Sequence, residues 1–159
     1  MKFIIESDGT LRIAEARASD AGEYTCEVSS NGGNDHHASN LDVIELPYAP
    51  THVTAEKIST APKTVNVSWT PGFNGNSPII KYILQFRYVP QKGPIPKDDL
   101  NWITAMANIS SSDRSVLLSH LRSSATYIFR VVTVNSVGEG PPSYPSNRIE
   151  LPQEPPSGY

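Results

Sequence analysis

Cysteine is almost missing from this sequence of 159 residues: Cys26 stands alone. A disulfide within the chain is excluded, which leaves a free thiol or an intermolecular bridge. No local pattern around Cys26 marks a reactive or catalytic thiol. Long apolar runs are missing as well, and none approaches the ~20 residues a membrane-spanning helix needs. The opening Met1-Lys-Phe-Ile-Ile-Glu6 is too short and too soon charged for a secretory leader. Any leader or membrane anchor of a parent protein is therefore expected outside this segment. An excess of positive charge is absent too. The net charge of −3 supplies no basic face for nucleic acid. No Gly-x-Ser-x-Gly elbow gathers a nucleophile, and no glycine loop leads from a strand into a helix to cradle phosphate. Enzyme chemistry, a cofactor and a small-molecule substrate are not expected. No Arg-Gly-Asp tripeptide occurs, and no segment carries a convincing helical period.

What is present suits a chain of short strands. Hydrophobic residues make up 38% and charged residues 18%, enough apolar content for a core and too much for a disordered chain. Fourteen prolines and ten glycines fit many turns. Phe3 to Glu6 reads as a strand, and Asp8-Gly9 as a hairpin turn. Leu11 and Ile13 alternate with polar neighbours, and Tyr24, Cys26 and Val28 continue a period of two. Asn31-Gly-Gly-Asn34 marks a turn, and Leu41, Val43 and Ile44 a closing strand. Leu46-Pro-Tyr-Ala-Pro50 then separates two units. Its prolines remove ladder donors and stiffen the backbone, so the hinge between neighbouring units is restricted.

From residue 51 the alternation resumes. Val53, then Val65, Val67 and Trp69, face one way. Tyr82, Leu84 and Phe86 follow, and Tyr127, Phe129, Val131 and Thr133 make a long strand. Between them lie a Gly/Asn-rich loop at 71–78, a proline-rich connection at 90–99 and a short strand of Val116, Leu118 and Leu121. Gly138-Glu-Gly-Pro-Pro142 is a turn, and Arg148 to Leu151 closes the sheet. Turn signals every ten or so residues argue a β-sandwich.

Two families come into view on these residues. Asp20-Ala-Gly-Glu-Tyr-Thr-Cys26 resembles the entry to strand F of the immunoglobulin superfamily, with Tyr24 two residues before the second disulfide cysteine. The resemblance implies that the partner of Cys26 is missing from this chain, with strands A to C, and that residues 1–46 are a partial Ig-like domain of strands D to G. In the intact fold E pairs with B and F with C, so both strands are expected to keep open edges. Residues 1–46 are accordingly expected to be marginal or dependent on another surface, and amide exchange as slow as in the second unit would contradict that. Trp69, Tyr82 and Leu121-x5-Tyr127-x-Phe-x-Val131-x3-Asn135-x2-Gly138-x-Gly140 resemble the fibronectin type III pattern. Thr133 departs from it where alanine is common, and a buried threonine hydroxyl needs a partner.

The fold class expected is all-β: the truncated Ig-like half at 1–46, a proline linker at 47–50, a complete fibronectin type III sandwich at 51–152 and a linker tail at 153–159. Tyr24, Trp69, Tyr82, Leu121 and Tyr127 are the expected structural core, and Trp102 is read as core as well. The stretch Phe73 to Leu84 and Leu151-Pro-Gln-Glu-Pro-Pro156 resemble the Ig-to-fibronectin junction of the sidekick family of adhesion receptors. That resemblance implies a non-catalytic extracellular segment of a plasma-membrane receptor at cell junctions, in neuronal wiring and in epithelia. It also implies homophilic protein partners, the same receptor on an apposed cell, met through other domains, with membrane attachment through a segment outside this one. An intracellular muscle-type scaffold is the alternative, since such Ig domains keep Tyr-x-Cys without a disulfide.

Asn66-Val-Ser68 and Asn108-Ile-Ser110 are N-glycosylation sequons. Alternation turns Asn66 outward, and Asn108 lies beside a serine-rich loop. His36 and His37 fall in the turn-rich stretch before the closing strand. Neighbouring histidines on a strand point opposite ways, so no metal site is expected there, nor at the isolated His52 and His120. Lys81, Arg87, Lys92 and Lys97 scatter across faces and make a poor heparin site.

Overall fold

The structure, a computed structural model, describes residues 2–5, 11–14, 22–30 and 33–153. The Asp8-Gly9 turn, the Asp20-Ala21 entry, Asn31-Gly32 and the tail beyond residue 153 lie outside the described residues. Every element among the described residues is a strand.

The N-terminal part contributes two hairpins. β1 (Lys2–Ile5) pairs antiparallel with β2 (Leu11–Ala14), and β3 (Gly22–Ser30) with β4 (Gly33–Leu41). The closing strand therefore starts earlier than expected and stops short of Val43 and Ile44. His36 and His37 are strand residues of β4 rather than turn residues, opposite Glu27 and Cys26. Tyr24 is half-buried.

The second part is a two-layer sandwich. One sheet is β5 (Thr51–Ile58), β6 (Ala61–Thr70) and β9 (Ser115–Leu118) in the order β5-β6-β9. The other contains β7 (Lys81–Tyr88), β8 (Ile103–Ser110), β10 (Thr126–Val134) and β11 (Ile149–Glu150) in the order β11-β10-β7-β8. Alternation decides the packing: Val65, Val67 and Trp69 on β6 meet Tyr82 and Leu84 on β7 and Tyr127, Phe129 and Val131 on β10 in one buried cluster. Trp69 and Tyr82 lie 5.2 Å apart between ring centroids. Truncating a buried leucine such as Leu84 to alanine costs about 2–5 kcal/mol.

The tyrosine corner fixes the entry to β10. Tyr127 is buried, and its hydroxyl accepts the Arg122 amide at 2.8 Å. Leu121, just before it, is buried in the core but lies in a loop rather than in β9. Opposite β10, the proline-rich stretch before β11 cannot run a regular ladder. Ser143 and Ser146 replace it. Each donates its amide to a β10 carbonyl, of Val131 and of Phe129, and each hydroxyl accepts the same residue's amide in return.

Strand β10 departs from simple alternation. Ile128 and Val132, on the face away from the core, are buried as deeply as the core residues beside them. The 89–102 connection folds back over that face. Asp98 reaches Arg87 there at 2.9 Å, and Asp99 pairs with Arg130. Trp102 is thereby corrected from core residue to cover. It is half-buried, and Arg130 lies over its ring at 4.4 Å from the centroid, a cation–π contact worth about 0.5–2 kcal/mol.

Candidate functional site at the domain junction

Two features of the second sandwich stand out: the joint where the chain enters it, and a groove on its outer face.

The joint is built around Asn135, the residue after β10. Its side chain is 2% exposed, so each polar atom needs a partner. The amide nitrogen donates to the carbonyls of Glu45 at 2.8 Å and Asn74 at 2.9 Å. The amide oxygen accepts from Val137 at 2.9 Å and Gly138 at 3.3 Å. Asn135 thus ties three segments together: the incoming 43–50 segment, the 71–78 loop and the 135–140 turn. Backbone bonds complete the seam. The Glu45 amide donates to Gly75 at 2.9 Å, and the Tyr48 amide to Phe73 at 2.8 Å. Asn76 donates its side chain to the Val43 carbonyl at 3.1 Å.

Glycine is required where the backbones approach this closely. A Cβ on Gly75, whose φ is +75°, would strike the Glu45 carbonyl, and one on Gly140 would strike the Pro47 carbonyl. Pro47 itself is fully buried, and Tyr48 packs edge-on against Phe73 at 5.3 Å. Residues 43–50, read from sequence as the end of a closing strand followed by a proline linker at 47–50, are thus bonded to the second sandwich at Val43, Glu45 and Tyr48. Sequence reading missed this clamp. It found Asn135-x-x-Gly138-x-Gly140 as a turn, but nothing in the pattern says what the asparagine holds.

The groove, of about 920 Å³, runs between the 94–102 segment and residues 143–148. Trp102, Arg130, Tyr144 and Pro145 line it, and Tyr144 is 93% exposed. Its carboxylates are engaged by arginines. The Leu100 amide, followed by the Arg87 guanidinium, holds the Asp98 carboxyl below its ordinary value. Arg87 is buried in this pair, which removes it from any basic surface with Lys81, Lys92 and Lys97. Among the described residues no group of three or more His, Cys, Asp or Glu is placed to hold a metal ion. His52 bonds its neighbour Thr51, and His120 is exposed.

The two sequons fall in different places. Asn66 is half-buried in β6, between Glu56 of β5 and Leu117 of β9. Asn108 is exposed on β8. The side chain of Cys26 lies outside the described residues.

Comparison with known proteins places these features. The fibronectin type III domain family model matches residues 48–149, and the immunoglobulin I-set domain model matches residues 2–43. Protein sidekick of Drosophila melanogaster is 51% identical over 97% of this chain. Protein sidekick-1 of Gallus gallus is 38% identical and that of Homo sapiens 36%, each over 98% of it. The chain spans 7% of the length of each of these relatives. Among solved structures, chicken CNTN1 FN1-FN3 domains superpose with a TM-score of 0.56 at 28% identity, covering 70% of this chain and 35% of that one. A titin fragment shares the fold at a TM-score of 0.57 and 24% identity, over 87% of this chain and 43% of that one. With its match over most of the sandwich and an I-set match ahead of it, this chain belongs to the fibronectin type III family.

Proposed function

We propose that this chain is a non-catalytic extracellular segment of a sidekick-type cell–cell adhesion receptor, acting as a spacer and as a surface open to protein partners. The observation that carries the reading is the clamped joint. A receptor that presents distal adhesive domains at a distance gains from joints that do not fold up, and the incoming chain here is bonded to the sandwich from residue 43 onward. We place the joint at residue 42, ahead of the 47–50 linker of the sequence reading. The domain division otherwise stays as read: an Ig-like part before the joint, the sandwich to residue 152 and a tail from 153.

Similarity to sidekick proteins along nearly the whole chain supports the adhesion reading over the muscle-type scaffold, since the likeness to titin is one of fold. Homophilic recognition, by the same receptor on an apposed cell, falls to domains outside this segment.

The test is an epitope tag placed in the exposed 90–97 loop of the full-length parent receptor. Antibody should label intact cells, and deleting the segment should weaken cell aggregation while the receptor still reaches the surface. Labelling only after permeabilisation would overturn the reading in favour of the intracellular scaffold.

A further inference from the structure

Sheet edges are where a strand protein meets unwanted copies of itself, because unpaired N–H and C=O groups form a template for another strand. The three-stranded sheet of the second sandwich ends on β5 and β9, and the four-stranded sheet on β11 and β8. Strand β5 carries Glu56 and Lys57 and a register shift. Strands β9 and β11 are only four and two residues long. Strand β8 is different: Ile-Thr-Ala-Met-Ala-Asn-Ile-Ser, eight residues without a charge or a proline. Register shifts against β7 near Leu84 twist it, a partial guard. The charge that usually protects such an edge is missing.

The sequon Asn108-Ile-Ser110 sits on this strand. Ile109 is buried in the core at 3% exposure, which turns its neighbour Asn108 to the outer face, where it is exposed. Lys81 donates to the amide oxygen of Asn108 at 3.3 Å. The amide nitrogen, the atom that takes the sugar, is left unengaged among the described residues. Asn66 offers no such role, since its strand is paired on both sides.

We propose that Asn108 carries an N-linked oligosaccharide and that this glycan shields β8 from strand addition by a second copy of the chain. A hydrated glycan at the strand's C-terminal end occupies the space an added strand would fill, and so does the work of the missing charge. The proposal rests on the extracellular reading, because the sugar is added in the secretory pathway.

The experiment expresses the chain behind a supplied secretory leader in a eukaryotic host, with reductant added after purification so that Cys26 takes no part. Glycopeptide mapping should find Asn108 occupied on most chains, and a bare Asn108 overturns the site. Two variants, Asn108→Gln and Ser110→Ala, erase the sequon through different residues. By light scattering both should roughly double in mass, or more, where the glycosylated protein is monomeric. Adding Ala107→Lys to Asn108→Gln puts a charge on the exposed edge and should restore the monomer, which it would not do for a folding defect. Variants that stay monomeric, or association that Ala107→Lys leaves unchanged, overturn the shielding role. The supplied leader separates this outcome from the native location, which the surface-labelling experiment reads.

Discussion

The side-chain amide of Asn135 holds the backbone carbonyl of Glu45 at 2.8 Å, across ninety residues of sequence. One buried side chain thereby fixes how the chain enters its second sandwich. Replacing Asn135 with alanine leaves the Glu45 and Asn74 carbonyls and the Val137 amide without this partner, at a cost of about 2–3 kcal/mol. Asn135→Asp should be worse despite its similar size, because a carboxylate oxygen would face the two carbonyls. Urea unfolding reads the loss of stability, and small-angle scattering of the two-domain protein should show a broader spread of interdomain distances. An unchanged spread in both variants would remove the clamp from the account.

The tyrosine corner predicts a loss at neutral pH and a pH dependence at alkaline pH. Tyr127→Phe orphans the Arg122 amide and should cost about 1–3 kcal/mol. Burial holds the Tyr127 phenol above its ordinary pKa, with the Arg122 amide opposing. Above about pH 10 the unfolded tyrosine loses its proton while the folded one keeps it. The unfolded state then binds fewer protons, so the stability of the native protein falls as pH rises from there towards the folded pKa. The phenylalanine variant should fall less steeply over that window. Parallel curves for the two proteins in thermal melts from pH 8 upward would contradict this.

Thr133 is buried at 2% exposure, and its hydroxyl has no hydrogen-bond partner among the described residues. Valine has nearly the same shape and no hydroxyl to desolvate. Thr133→Val is therefore expected to raise stability by about 1 kcal/mol, visible as a higher urea midpoint at an unchanged slope. A drop in the midpoint would mean that the hydroxyl does find a partner.

Asp98 ties the 89–102 connection to the sheet. Its carboxyl lies below its ordinary value, first through the Leu100 amide and then through Arg87. The contribution is present above the unfolded pKa, near 4, and is lost as pH falls through the lower folded value. Protection of the Leu100 amide, taken relative to its intrinsic exchange rate, should fall on acidification through that window. Asp98→Asn should show fast exchange already at neutral pH, because it leaves the buried Arg87 without a carboxylate. Equal protection in both proteins would place the hold on the connection elsewhere.

Much of the second sandwich was legible from residues alone. A period of two over Val65, Val67 and Trp69 and over Tyr127, Phe129 and Val131 is a direct statement of which side chains share a face, because successive strand residues point oppositely. The same reasoning fails where a face is covered by something other than the opposing sheet. Ile128 and Val132 sit on the wrong side of the alternation, and their burial depends on a connection that sequence showed only as polar and proline-rich. Trp102 was misread for the same reason: an aromatic beside a strand start packs on whichever face the preceding loop takes, and that choice follows from Arg87 and Arg130 meeting Asp98 and Asp99.

By itself the sequence determined the class of this protein: strands throughout, two modules, a corner tyrosine, two sequons and a single cysteine. These are local or periodic properties, written in neighbours a few residues apart. Tertiary structure alone decided that the proline segment is bound rather than free, that Asn135 is its anchor, and that one sequon sits on an uncharged sheet edge while the other sits on a strand paired on both sides. Each of these joins residues dozens of positions apart, and no periodicity along the chain records which distant carbonyl a buried amide will meet.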